Sequence, residues 1–153
     1  MTSYCPLFEP GLVDIERSSL EENFVEPFND SERRKELLKG LKSFLEKFDQ
    51  FQIEYEAWIN GSFATKKEKP EDIDVVIFFN QEELNSLNDQ QQKKFEEVIL
   101  NADSSALKAK YNCEIFFNPK NDKEFRNYWL GMFGYTRSED PKGIPRLLVN
   151  NSE

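Results

Sequence analysis

Hydrophobic positions in the first half of the chain follow two different periods. Between residues 31 and 49 they recur every three or four positions, as on one face of a helix: Leu37, Leu38, Leu41, Phe44, Leu45 and Phe48. Residues 53–59 alternate instead, and Glu54, Glu56 and Trp58 fall opposite the apolar side. We predict an amphipathic helix over 31–49 and a half-buried strand over 53–59.

The second half of the chain contains two short, strongly apolar runs. Residues 73–79 (IDVVIFF) and 111–117 (YNCEIFF) have the length and the β-branched and aromatic content of strands. Residues 81–101 are rich in helix-forming side chains and predict one or two helices, and residues 121–133 predict another. Residues 146–149 predict a short last strand.

Residues 1–30 differ from the rest in composition. Seven of the 29 acidic residues but only one of the 20 basic residues lie there, together with three prolines. We predict an acidic, irregular arm over 1–30 and a single domain over 31–153. The charge of the arm serves either solvation or docking of a basic partner.

Composition excludes several kinds of chemistry. The 153-residue chain has no histidine, so Ser-His-Asp and Cys-His catalysis and HExxH zinc sites are ruled out. Its two cysteines, Cys5 and Cys113, are too few for a structural zinc site and do not indicate a disulfide framework. The net charge of −9 makes nucleic acid an unlikely partner, because phosphate contacts need lysine and arginine.

Localisation is also predicted from the sequence. Residues 1–20 lack the basic start and apolar run of a signal peptide, and no apolar stretch approaches the ~20 residues that cross a bilayer. We expect a soluble, cytoplasmic protein without a membrane partner.

Three acidic residues occur where strands are predicted. Asp72 and Asp74 open the strand at 73–79 and point to the same side of it, about 7 Å apart. Glu114 lies within the apolar run 111–117, and reaches the same place if the two strands are neighbours. Alternatively, the two aspartates are ordinary strand-edge acids and Glu114 faces solvent.

Converging carboxylates favour a divalent cation, because the charges otherwise repel one another. Ligands that are all oxygen favour Mg²⁺ or Mn²⁺, and Asp72, Asp74 and Glu114 are the candidate ligands and catalytic residues. The nearby Gly61-Ser62 turn offers backbone N–H groups and a hydroxyl to a phosphate. Lys66 and Lys67 on the following loop either neutralise a triphosphate or are solvated surface charges.

The spacing of these residues resembles a known superfamily. Asn60-Gly61-Ser62, followed after nine residues by Asp72-Ile73-Asp74, is similar to the signature of the DNA polymerase beta-type nucleotidyltransferases. The run from Gly61 to Val76 resembles a small bacterial and phage group within that superfamily. A later run, Tyr128 to Leu147, shares the resemblance through Trp129, Phe133, Arg137 and the segment Lys142 to Arg146. Arg137, Lys142 and Arg146 either bind phosphate or have a surface role.

The resemblance implies an α+β fold, a mixed twisted sheet of three to five strands backed by helices. It also implies a metal-dependent enzyme that transfers a nucleoside monophosphate from an NTP, with ATP as the expected donor, to a hydroxyl acceptor. Asp72, Asp74 and Glu114 would hold the metal, and Gly61 and Ser62 would hold the triphosphate.

The short chain leaves the acceptor open. Larger members of the superfamily carry a further helical domain, for which few residues remain after Glu114. Either the acceptor site is minimal, or a partner protein such as a toxin completes it. The alternative function is a weak or inactive nucleotidyltransferase-fold binding module, such as an antitoxin or a phage-defence subunit.

Overall fold

A computed structural model of the chain describes residues 4–100, 104–135 and 139–150. Its five strands are β1 Gly11–Asp14, β2 Tyr55–Asn60, β3 Ile73–Phe79, β4 Cys113–Pro119 and β5 Gly143–Val149. Its six α-helices are α1 Leu20–Phe24, α2 Glu32–Asp49, α3 Gln81–Asn85, α4 Asp89–Phe95, α5 Ser104–Tyr111 and α6 Lys123–Phe133. None of the helices in these ranges is long and apolar enough to cross a membrane.

The strands form one mixed, open sheet in the order β1-β5-β2-β3-β4. The central strand β2 is antiparallel to both of its neighbours, β3 and β5. The two outer pairs, β1 with β5 and β3 with β4, are parallel. The expected mixed α+β architecture and strand number are therefore confirmed.

One face of the sheet packs against α2. The predicted apolar stripe of α2 is buried from Leu37 to Phe48. It shares one core cluster with alternate residues of the sheet, such as Tyr55, Val75 and Ile115. The predicted helix over 31–49 and strand over 73–79 are confirmed. The helices predicted within 81–101 are α3 and α4, followed by a π-helical turn, Glu96–Leu100.

The other face of the sheet packs against α6. Trp58, Val76 and Trp129 form a second apolar cluster between the sheet and this helix. The expectation that β2 is half-buried is therefore wrong, because α6 covers its second face and all six of its residues are buried. Glu56 is buried there too, where Arg126 donates to its carboxylate.

The first 30 residues contain regular structure, so the expectation of an irregular arm is wrong for part of this segment. Strand β1 pairs in parallel with β5, and Leu20 and Phe24 of α1 are fully buried in the main core. Acidic residues remain at its surface, including Glu9 and Glu16.

Three strands begin at other residues than predicted, and the first of them, β2, begins at Tyr55, two residues after the predicted start. Tyr111 is the last residue of α5, not the first of a strand, because Asn112 takes a left-handed conformation (φ 58°) that ends the helix before β4 begins. Strand β5 begins at Gly143, three residues before the predicted start, because its first residues pair with β1.

Candidate functional site

The three predicted carboxylates meet at one end of the sheet. Asp74 on β3 lies directly opposite Glu114 on the parallel strand β4. Asp72 immediately precedes β3, and one carboxylate oxygen from each of the three residues lies within 4.8 Å of the others. The predicted convergence is therefore found, and all three residues are partly buried.

The local sequence explains why these side chains share one face. Ile73 and Val75 belong to the core beneath the sheet, so Asp74 between them points to the opposite face. Cys113 and Ile115 place Glu114 on the same face of β4 by the same alternation. Where the two strands begin, the N–H of Ile73 donates to the carbonyl of Asn112 at 3.1 Å.

Gly61 lies against the carboxylate of Asp74. It has a φ of +78°, and a Cβ built on it would lie 2.5 Å from Asp74 Oδ2. It begins a 3₁₀ turn, Gly61–Ala64, in which the carbonyl of Ser62 accepts hydrogen bonds from the N–H and hydroxyl of Thr65 at 3.1 and 2.6 Å. The Gly61-Ser62 turn thus adjoins the carboxylates, as the sequence predicts.

The buried guanidinium of Arg34 holds the loop after this turn. It donates to backbone carbonyls of Phe24, Phe63, Thr65 and Lys67 at 2.6 to 3.1 Å. It also stacks over the ring of Phe28 at 3.7 Å. Because its acceptors here are carbonyl groups, burial lowers the pKa of Arg34 to about 10. Arg34 therefore holds the backbone of the loop that follows Gly61-Ser62, the candidate phosphate-binding turn.

The lysines of that loop make other contacts. Lys66 is exposed, and the ammonium of Lys67 lies 5.5 Å from the ring of Tyr4. Neither contact involves the three carboxylates.

Two other lysines lie beside the carboxylates. Lys108 on α5 forms an ion pair with Asp72 at 3.0 Å. Lys142, just before β5, is only 6% exposed; burial lowers its pKa, and the negative charge of Asp74 opposes that fall. Sequence reasoning missed Lys108, and it left Lys142 undecided between phosphate binding and a surface role.

The later run of the resemblance is only partly described. Arg137 lies outside the described residues. Arg146 donates to Asp14 at 2.6 and 3.1 Å and to Glu56 at 3.2 Å, so it joins β1 to β2 across β5. It is therefore a structural residue in this arrangement.

Electrostatics at the site favour a cation. Burial first, and then the charges of Asp72 and Glu114, raise the pKa of Asp74 to about 6, while Lys142 opposes that rise. The donors are all oxygens of partly buried carboxylates, a set that suits Mg²⁺ or Mn²⁺. The adjacent Asn60, paired with Asp74 across the sheet, is fully buried, and among the described residues its Oδ1 has no hydrogen-bond donor. The residues present therefore fit a hard divalent cation with bound water.

Comparison with known proteins gives one result. A family model described as "Family of unknown function (DUF6932)" matches residues 2–148. The chain belongs to this family. No curated protein and no solved structure matches it. Membership of DUF6932 assigns no activity, so a function must be argued from the site.

Proposed function

We propose that this DUF6932 protein is a metal-dependent nucleotidyltransferase of the DNA polymerase beta type. It would transfer a nucleoside monophosphate from an NTP, with ATP as the first candidate, to a hydroxyl acceptor. The observation that carries the proposal is the meeting of Asp72, Asp74 and Glu114 within 4.8 Å, beside the Gly61-Ser62 turn. The mixed sheet is compatible with the resemblance that the motif implies.

Each group has a part in this chemistry. Mg²⁺ or Mn²⁺, when bound, would lower the pKa of the acceptor hydroxyl and neutralise charge on the phosphates. The ion would be held by Asp72, Asp74 and Glu114. Asp74 would be the central ligand, because its carboxylate lies against Gly61 of the Gly61-Ser62 turn. Gly61 and Ser62 would orient the triphosphate through backbone N–H groups and a hydroxyl. Positioning and charge neutralisation supply the rate in such reactions, so no histidine is needed.

The transfer is a displacement at the α-phosphorus. The acceptor oxygen forms a bond to this atom, the bond to the bridging oxygen breaks, and the electron pair leaves with pyrophosphate. The acceptor proton passes to solvent. The net charge of −9 favours a hydroxyl on a protein or small molecule over one on nucleic acid.

A second candidate is a binding module with the same fold and little activity, such as an antitoxin or a defence subunit. An exposed apolar row on the outer face of α6 favours it. Phe125, Tyr128 and Met132 lie three and four residues apart and are 48%, 51% and 53% exposed. Exposed aromatic and methionine side chains in a row are typical of protein interfaces.

The decisive experiment uses labelled nucleotides. The protein is incubated with each labelled NTP, Mg²⁺ or Mn²⁺, and cell lysate, and the labelled product is identified. We expect transfer by the wild type and by Glu46→Gln, whose side chain is exposed on α2. Asp74→Asn should abolish transfer while leaving the circular dichroism spectrum unchanged.

Two outcomes contradict the proposal. One is transfer by Asp74→Asn at a rate near that of the wild type. The other is a wild type that neither transfers label nor binds any Mg²⁺–NTP in calorimetry, which would favour the binding module.

A further inference from the structure

We infer that Lys142 is the cation that binds the phosphates of the nucleotide, in place of the loop lysines Lys66 and Lys67. This inference rests on the proposed function, since it assigns a ligand to one side of the same site. From the sequence, Lys66 and Lys67 were the candidates that follow Gly61-Ser62 along the chain, and Lys142 was left open between phosphate binding and a surface role.

The topology brings Lys142 to the correct end of the sheet. Strand β5 is antiparallel to β2, with Trp58 opposite Arg146, so the residues before β5 approach the end of β2. That end continues directly into the Gly61-Ser62 turn. Lys142 and the turn therefore flank the same carboxylates, although they are far apart along the chain.

The backbone around Lys142 is held on both sides. Its N–H donates to the carbonyl of Gly134, just after α6, at 2.7 Å. The N–H of Gly143 donates to the carbonyl of Phe8 in the N-terminal segment at 3.3 Å. A Cβ added at Gly143 would overlap the backbone at Glu9, so the N-terminal segment packs closely against the start of β5. These contacts fix the direction from which the lysine enters the site.

Lys142 carries a buried charge near Asp74. The residue is 6% exposed; burial lowers the pKa of its ammonium, and the negative charge of Asp74 opposes that fall. An ammonium in such a place loses its hydration, so it needs negative partners, and its attraction to an anion is stronger than in water. Lys66 is exposed, so its attraction to a phosphate is weakened by solvent and salt.

Charge balance gives this lysine a role. A triphosphate adds several negative charges beside three carboxylates, and the displaced pyrophosphate carries the electron pair of the broken bond. Lys108 already forms an ion pair with Asp72, whose carboxylate it contacts at 3.0 Å. Lys142 lies next to Asp74, and Asp74 touches Gly61 of the phosphate turn. It is the buried cation best placed to stabilise the phosphates.

The test measures phosphate binding directly, without turnover. Inorganic tripolyphosphate is titrated in the presence of Mg²⁺ into the full chain, and binding is followed by calorimetry. We expect Lys142→Met to weaken binding about tenfold to a hundredfold, the usual effect of losing one charge-assisted hydrogen bond to phosphate. Lys142→Arg should retain part of the affinity. Lys39→Met removes an equal charge from the exposed side of α2 and should bind as the wild type does.

Three results would overturn the inference. They are wild-type affinity in Lys142→Met, a loss of affinity in Lys66→Met or Lys67→Met that matches or exceeds it, and no binding by the wild type. Circular dichroism checks that each variant is folded, and Lys142→Gln, which is also uncharged, replaces Lys142→Met if the latter does not fold.

The inference and the proposed function fail separately. Tripolyphosphate binding that depends on Lys142, without nucleotide transfer, supports this phosphate site and contradicts the enzyme. Transfer that survives in Lys142→Met with an unchanged KM for the NTP contradicts the phosphate site alone.

Discussion

The carboxylate of Asp74 lies against the backbone of Gly61, where a Cβ would be 2.5 Å from Oδ2. This contact joins the end of β2 to the start of β3 at the position of the site. Because Gly61 also has a φ of +78°, any L side chain there is strained in two ways.

Gly61→Ala should therefore destabilise the protein and disturb the site. The left-handed backbone costs about 1–2 kcal/mol for alanine, and the methyl group must displace Asp74. We expect a lower free energy of unfolding in urea and weaker Mn²⁺ binding in calorimetry.

Gly131→Ala is the matched control. Gly131 is an exposed residue of α6, and a Cβ there meets nothing within 4 Å. Alanine in a helix is favoured over glycine by roughly 0.5–1 kcal/mol, so this variant should be slightly stabilised. Equal effects of the two substitutions would contradict the role assigned to the contact.

The pKa of Asp74 predicts a pH dependence of stability. The folded protein raises this pKa from 3.8 to about 6, so it binds the proton more tightly than the unfolded chain does. Without divalent cations, the free energy of unfolding should fall as pH rises between these values, by at most about 3 kcal/mol. In Asp74→Asn that part of the fall should be missing. Parallel pH profiles of the two proteins in urea unfolding would contradict the assignment.

Removal of Lys108 should strengthen metal binding. Its ammonium forms an ion pair with Asp72, and so competes with a cation for one of the three carboxylates. Lys108→Met should raise Mn²⁺ affinity about three- to tenfold, while stability should change little because the ammonium of Lys108 is exposed to solvent. Lys110→Met removes the same charge two residues away and should bind Mn²⁺ as the wild type does. Unchanged affinity in Lys108→Met would show that the ion pair does not compete.

Substitution of Arg34 should be strongly destabilising. Arg34→Met leaves the carbonyls of Phe24, Phe63 and Thr65 without this donor and should cost about 3 kcal/mol or more. Arg34→Lys keeps the charge but not the planar fork, so it should recover only part of the loss. Lys35→Met, at an exposed neighbouring position, should be nearly neutral in urea unfolding. A loss below 1 kcal/mol in Arg34→Met would contradict the assigned role.

Local sequence patterns predicted the elements whose structure depends least on long-range contacts. The apolar stripe of α2 is sufficient to predict a helix, and the apolar run of β3 is sufficient to predict a strand. The predicted bounds of both elements are nearly correct. The meeting of Asp74 and Glu114 was predictable because strand alternation fixes the face of each side chain, given only that β3 and β4 are neighbours.

Long-range packing explains what the sequence did not predict. The alternating pattern predicts that Glu56 and Trp58 face solvent. In the structure α6, which follows more than 60 residues later in the chain, packs over them. Lys108 comes from α5, whose residues form only a weak amphipathic pattern, and no helix was predicted there. Strand β1 needs β5 from the opposite end of the chain to form a ladder.

Glu114 belongs to β4, one of the two edge strands of the sheet, whereas Asp74 on β3 has paired strands on both sides. Edge elements open more readily than inner ones in the native state. We therefore expect β4 to open around Glu114 before β3 opens around Asp74. A bound divalent ion would link Glu114 on the edge strand β4 to Asp74 on β3. Binding of the ion should therefore slow amide hydrogen exchange along β4.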